Sequence, residues 1–253
     1  MTIVLLHGNP ETPAIWDDLV AEWGRDDVVT PALPGFGCDL PAGFGCPLDA
    51  YLEWLVNLVP SLDGPVHVVG HDWGGILVAR LAIVAPSTIA SWASDALGAL
   101  HPRYEWHAAA RVWQTEGAGE DLVASMTEPP LEERRASLTA LGVPPAAARI
   151  LAEVADQRMG AALLALYRSA RQPAMVAWGE QPERARTTRG MFLHATLDPY
   201  VGAARGTRDL AATMGAEVGE LVGLGHWWML EDPRAAADVL EEWITREGRQ
   251  ASR

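Results

Sequence analysis

The short apolar run from Val66 to Gly70 opens directly into His71-Asp72-Trp73-Gly74-Gly75, and this junction limits what the chain can fold into. An apolar run of that length, bounded by a turn, reads as a buried strand. From about Gly75 to Val84 the sequence reads as a helix, which stops before Pro86. Glycines at 70 and 74 let the backbone turn sharply around the residue between them and tolerate strain there. A strand that passes into a helix within a few residues belongs to a parallel sheet, whose crossovers are helices.

The rest of the chain repeats the alternation. Ile3 to Leu6 reads as a strand ending at His7-Gly8-Asn9-Pro10, and Thr12 to Trp23 has helical spacing. Val28 to Leu33 is the next expected strand, closed by Pro34-Gly35-Phe36-Gly37. Asp49 to Val59 is amphipathic, with Tyr51, Leu52, Leu55, Val56 and Val59 on one face, and Ile89 to Leu97 is another expected strand. The alternation breaks between Leu100 and Arg189, a stretch rich in Ala, Arg, Glu and Pro that reads as helical. Strands return at Met191 to Ala195 and Val218 to Leu221, with helices near Arg205 to Met214 and Pro233 to Ile244. The expectation is an α/β fold: a mostly parallel sheet with helices on both faces and a helical cap insertion. Residues 1–99 and 190–246 would form the core, 100–189 the cap and 247–253 a frayed tail.

A chain of 253 residues suffices for one such core. No stretch reaches the roughly 18–20 apolar residues that span a bilayer, and no secretory leader opens the sequence. The expectation is therefore a cytoplasmic protein with no membrane partner. A net charge of −14 argues against nucleic acid, whose binders need a basic footprint. Every one of the 19 cationic residues is arginine, which excludes lysine Schiff-base chemistry. Cys38 and Cys46 lack metal-ligand spacing and read as two thiols rather than a disulfide. No metal and no cofactor is expected.

Asp72, Asp198 and His226 fall just past the carboxyl ends of three expected strands. Ligands bind at that end of open parallel sheets, and the order nucleophile, acid, histidine is one that hydrolases use. Each residue also has a structural reading: Asp72 as a helix N-cap, Asp198 as a turn residue before Pro199, His226 as a surface histidine. Asp95, at the end of the preceding strand, competes with Asp198 for the role of acid.

Four motifs, His7-Gly8-Asn9-Pro10, Gly70-His71-Asp72-Trp73-Gly74-Gly75, Leu197-Asp198-Pro199 and Gly225-His226-Trp227, resemble the α/β-hydrolase superfamily. Within it they look like the aspartate-nucleophile branch of epoxide hydrolases and haloalkane dehalogenases. The resemblance implies an α/β-hydrolase fold and a covalent mechanism. Attack by Asp72 on a saturated carbon makes an ester, which water activated by His226 can hydrolyse. Asp198 would hold the His226 tautomer, and the backbone N–H groups of Asn9 and Trp73 would form the oxyanion hole. The superfamily usually has one or two strands before the one leading to His7. Their absence would leave a smaller sheet with an exposed edge, which a homodimer would cover.

The same resemblance leaves two leaving groups open. An epoxide oxygen needs a proton donor, and Tyr167-Arg168 is similar to the Tyr-Arg pair that supplies one, with Tyr104 as the alternative donor. A halide needs only weak donors, and the Trp73 indole with the Asn9 amide would provide them. The Tyr-Arg pair and the Gly-His-Trp block favour the epoxide, with haloalkane dehalogenation as the alternative. Biosynthetic tailoring, an ester or lactone hydrolase and a non-catalytic binding protein are further readings. Trp73, Trp106, Trp113 and Trp227 are expected to bind a small apolar or aromatic organic substrate, with water as the second reactant.

Overall fold

In the computed structural model, which describes residues 1–200 and 204–250, six strands form one sheet. They are β1 (Thr2–Leu6), β2 (Val28–Val29), β3 (Val66–Gly70), β4 (Ser91–Ser94), β5 (Arg189–Ala195) and β6 (Ala216–Leu221). Their order is β2-β1-β3-β4-β5-β6 and every pairing is parallel. Helices α1 (Asp17–Trp23), α2 (Leu48–Leu58) and α3 (Trp73–Val84) connect the first four strands. Between β4 and β5 lie α4 (Ala108–Trp113), α5 (Ala118–Thr127), α6 (Leu131–Ala140), α7 (Pro145–Val154), α8 (Gln157–Ser169) and α9 (Ala174–Trp178). Helix α10 (Ala204–Met214) leads into β6, and α11 (Trp228–Glu231) and α12 (Pro233–Gln250) follow it.

Both faces of the sheet are buried, as a parallel sheet requires. Val4, Leu6 and Val68 join one apolar cluster with α2, α3 and part of the cap. Ile3, Leu5 and Val69 join the other, which includes residues of α7 and α12. Helix α3 is apolar nearly all round because it is enclosed: ten of its residues, from Trp73 to Ile83, are buried. Truncating one of them, as in Leu77→Ala, would cost about 2–5 kcal/mol. Asp156 caps α8 by accepting the Met159 N–H at 2.7 Å, and the inner face of α8 carries Leu163, Leu166 and Tyr167.

Strand register brings the candidate residues to one place. Leu6 pairs with Gly70, and Gly70 with Ser94, so the segments after β1, β3 and β4 leave the sheet side by side. Ala195 pairs with Leu221, which brings the segments leading to Asp198 and His226 together at the same end of the sheet.

Several expected elements differ. The strand expected over Val28 to Leu33 is only two residues long, because Pro31 has no N–H to extend the ladder. The strand expected over Ile89 to Leu97 is Ser91–Ser94, and Leu97–Leu100 form a turn of 3-10 helix. There the Ser94 hydroxyl accepts the Ala96 N–H at 3.2 Å and bends the chain away from the sheet. The helix expected from Thr12 begins as a 3-10 turn at Pro13–Trp16 before α1. Helix α12 is assigned through Gln250, and residues 251–253 of the expected tail lie outside the described residues. Cys38 and Cys46 are free thiols. No helix among the described residues is long and apolar enough to cross a membrane.

Candidate active site

Asp72 sits at the tip of the turn between β3 and α3 with φ 47° and ψ −118°, a conformation that L residues rarely adopt. Backbone strain of this kind costs of order 1–3 kcal/mol and persists only where neighbours enforce it. Here they do. A Cβ on Gly74 would lie 2.2 Å from the Leu6 carbonyl oxygen, and one on Gly8 would lie 2.4 Å from the Asp72 Cβ. Only glycine permits the turn to press against β1 so closely. The Asp72 N–H donates to Asp95 Oδ1 at 2.9 Å, which fixes the strained peptide from behind.

The Asp72 side chain does not cap α3. Its Oδ1 instead accepts the backbone N–H of Asn9 at 2.9 Å. Trp73 is the first residue of α3, so its N–H has no intrahelical acceptor. Of the two backbone donors expected to form an oxyanion hole, Asn9 meets the carboxylate, and the Trp73 N–H follows Asp72 directly in the chain. Burial raises the Asp72 pKa, and the nearby His226 and His71 charges offset only part of that rise.

His226 is buried, at 6% exposure, and its Nδ1 lies 2.8 Å from Asp198 Oδ2. That bond leaves Nε2 as the atom available to a reactant. Asp198 also accepts the Tyr200 N–H at 2.7 Å through Oδ1, so it is both turn residue and histidine partner. Burial and the neighbouring His71 push the His226 pKa down, but the hydrogen bond and charge of Asp198, with the charge of Asp72, outweigh them and raise it. For Asp198, burial pushes upward and the bond to His226 prevails, so its pKa is lowered.

Asp95 does not meet His226. Its Oδ2 lies 2.5 Å from His71 Nδ1 and accepts the Trp228 indole N–H at 2.8 Å. The other His71 nitrogen is 3.3 Å from Glu11 Oε1, which also accepts the Trp227 indole N–H at 2.7 Å. Glu11 Oε2 accepts the Gly8 N–H at 3.0 Å. A carboxylate stands at each His71 nitrogen, an arrangement that favours the imidazolium form. Burial opposes its charge, but Glu11 and Asp95 raise its pKa well above the ordinary value, and Glu11 is held down to about 2 against its own burial. The His71 and His226 rings are 4.5 Å apart. Glu11, His71 and His226 bring potential ligand atoms within 4.8 Å of one another. Of these three, Glu11 and His71 pair with each other and His226 pairs with Asp198. Glu11 and the role of His71 escaped the sequence reading, although His71 stands inside the motif that located Asp72 and Glu11 directly follows His7-Gly8-Asn9-Pro10.

A cavity of about 240 Å³ opens above Asp72. Asn9, His107, Trp113, Tyr167, His226 and Trp227 are among the residues that line it. Trp113 and Trp227 thus stand where a substrate would touch them. Trp73 and Trp106 are not among the lining residues, contrary to expectation. Trp73 is fully buried, with Trp106 stacked on it at 5.6 Å and Tyr167 edge-on at 5.3 Å. The Trp73 indole nitrogen has no partner of good hydrogen-bond geometry, yet it lies near enough to the Tyr167 hydroxyl to favour the phenolate. Burial and the Asp72 charge act more strongly the other way and raise the Tyr167 pKa well above its usual value. Tyr104 packs edge-on against Trp106 at 5.1 Å, and its pKa is raised by burial and by the charges of Asp72 and Asp198. His107, which sequence reasoning missed, is held down to about 4 by burial and by His226.

A model of the alpha/beta hydrolase family matches residues 3–239. The chain belongs to that family. Among curated proteins, this hydrolase is 32% identical over 90 residues to lipase LipV of Mycobacterium tuberculosis, covering 35% of this chain and 34% of the lipase. It is 28% identical over 133 residues to a haloalkane dehalogenase of Mesorhizobium japonicum, covering 48% of this chain and 42% of the relative. The matches thus span well under half of either curated protein. Among solved structures, a loop variant of haloalkane dehalogenase DbeA from Bradyrhizobium elkanii superposes with a TM-score of 0.72 at 18% identity, covering 100% of this chain and 91% of that one. That likeness speaks for the fold.

Proposed function

We propose that this alpha/beta hydrolase displaces halide from a saturated carbon, with Asp72 as the nucleophile. An Asp72 oxygen attacks the carbon as the carbon–halogen bond breaks, leaving an alkyl ester on Asp72 and a free halide. His226 Nε2 then takes a proton from water, and the hydroxide attacks the ester carbonyl carbon. The N–H groups of Asn9 and Trp73 hold the oxyanion. Collapse breaks the bond between the carbonyl carbon and the alkoxy oxygen, and the alcohol leaves with the proton that His226 returns. Asp198 keeps the imidazole oriented and stabilises its charged form.

One observation carries the choice of leaving group. Beside Asp72, the side-chain amide of Asn9, which lines the cavity, is buried without a hydrogen-bond partner. Each unmet buried donor costs about 1–3 kcal/mol and calls for an explanation. A departing halide, which needs donors but no proton, supplies one. The partial likeness to the Mesorhizobium dehalogenase agrees with this reading. The epoxide reading keeps one specific support: Tyr167 lines the same cavity with its ring against Trp73. The test is a panel of bromides and terminal epoxides on matched carbon skeletons. Bromide release with alcohol formation is the expected result. Diol formation from the epoxides alone would transfer the leaving-group role to Tyr167, and turnover of neither class would refute displacement at carbon.

A further inference from the structure

The cavity is electrically polarised. Among its described lining residues, Asp72 at the floor is the one carboxylate and Arg134 of α6 the one arginine. The walls between them are largely apolar and include Leu122, Met126, Leu138, Val143 and Leu151. Arg134 donates from Nη1 to the Ala155 carbonyl at 2.9 Å, which ties α6 to the end of α7. Its Nε is buried and without a partner. No carboxylate among the described residues stands within ion-pair distance of it: the neighbouring Glu132 is 3.0 Å from Arg135 instead. Arg134 is half-buried, so its charge reaches both water and the cavity, and the buried Nε is left as an unmet donor. Its planar array of donors suits a carboxylate.

We propose that Arg134 is a specificity residue that selects substrates carrying a carboxylate at the end remote from the reacting carbon. The inference rests on the displacement chemistry above for what happens at that carbon. An anionic group is repelled by Asp72 and attracted by Arg134, both of which line the cavity. The two charges therefore orient a molecule with one apolar body and one carboxylate, so that its electrophilic carbon faces the nucleophile. The substrate class is an apolar carboxylic acid bearing the leaving group at its far end, rather than a plain haloalkane.

Binding of unreactive ligands tests this without any turnover. Calorimetric titration of hexanoate and hexanamide into the wild-type chain should show the carboxylate binding about tenfold or more tightly, the scale of a charge-assisted hydrogen bond. Arg134→Met should abolish that difference, and Arg134→Lys should retain part of it. Equal affinities in the wild type, a comparison that needs no variant, would overturn the proposal. So would a carboxylate preference that survives in Arg134→Met. Bromide release from 6-bromohexanoate and 1-bromohexane is then measured separately. A preference controlled by Arg134 with no bromide released from either compound supports the role of Arg134 and overturns the leaving group proposed above.

Discussion

Asp95 holds Asp72 by its backbone: Asp95 Oδ1 accepts the Asp72 N–H at 2.9 Å, while its other oxygen meets two further donors, His71 Nδ1 and the Trp228 indole. An acid at the end of β4 thus supports the strained turn and leaves the orientation of His226 to Asp198. The two acids should fail in different ways. Asp95→Asn puts an amide N–H₂ against donors and should cost about 1–3 kcal/mol or more, lowering Tm by several degrees in a domain of this size. Asp198→Asn should leave Tm nearly unchanged and reduce kcat by roughly 10⁴-fold through the wrong tautomer. Thermal melts and steady-state kinetics of both variants check this. An Asp95→Asn chain that melts normally but loses more activity than Asp198→Asn would make Asp95 the orienting acid.

The covalent ester predicts where oxygen comes from. In a single turnover in heavy-oxygen water, the first alcohol should carry unlabelled oxygen from the Asp72 side chain, and the label should appear in Asp72. His226→Gln should alkylate but not hydrolyse, so intact-mass spectrometry should find a stable adduct on that variant. Label in the first product would mean direct attack by water.

Asn9 and Tyr167 separate the two leaving groups. With a bromide substrate, Asn9→Ala should slow alkylation about 10–100-fold, the worth of one hydrogen bond to an anion, and Tyr167→Phe should be nearly silent. With an epoxide substrate, loss of the Tyr167 donor should slow ring opening about 10²–10⁴-fold. Stopped-flow measurement of alkylation in both variants gives the ranking directly.

His71 sets the pH at which the site works. Its positive charge lowers the pKa of both Asp72 and His226, although other causes leave each raised overall. Alkylation needs Asp72 ionised and ester hydrolysis needs His226 neutral, so each step gains rate as pH rises through its group's pKa. His71→Gln removes the lowering charge from both, and both limbs should move to higher pH. Single-turnover rates across pH, with alkylation and hydrolysis resolved, measure the shift. Limbs that stay put or move toward acid would mean that His71 is not charged in the working enzyme.

Much of this site can be read in the sequence for a physical reason. Asp72, His226 and Asp198 each follow a strand, and glycines beside Asp72 and His226 announce sharp turns, so local signals suffice to find them. The chain of Glu11, His71 and Asp95 is a different case. Its contacts depend on Leu6 standing opposite Gly70 and Gly70 opposite Ser94, a register that no local pattern encodes. The tryptophans are hard to sort for a related reason. An indole that lines a cavity and one that packs behind it are the same letter, so the sequence does not separate Trp113 and Trp227, which line the cavity, from Trp73 and Trp106. Arg134 is one of 19 arginines, and only the packing of α6 and α7 singles it out.

The cap enters and leaves the sheet once, between β4 and β5. Asp72, His226 and Asp198 are coded outside that interval, whereas His107, Arg134 and Tyr167 are coded within it. Recombination with crossovers at the two ends of this single stretch would exchange the whole substrate-facing roof while the reactive machinery beneath is inherited unchanged. New selectivities are therefore reachable in this chain by replacing one contiguous block of its gene.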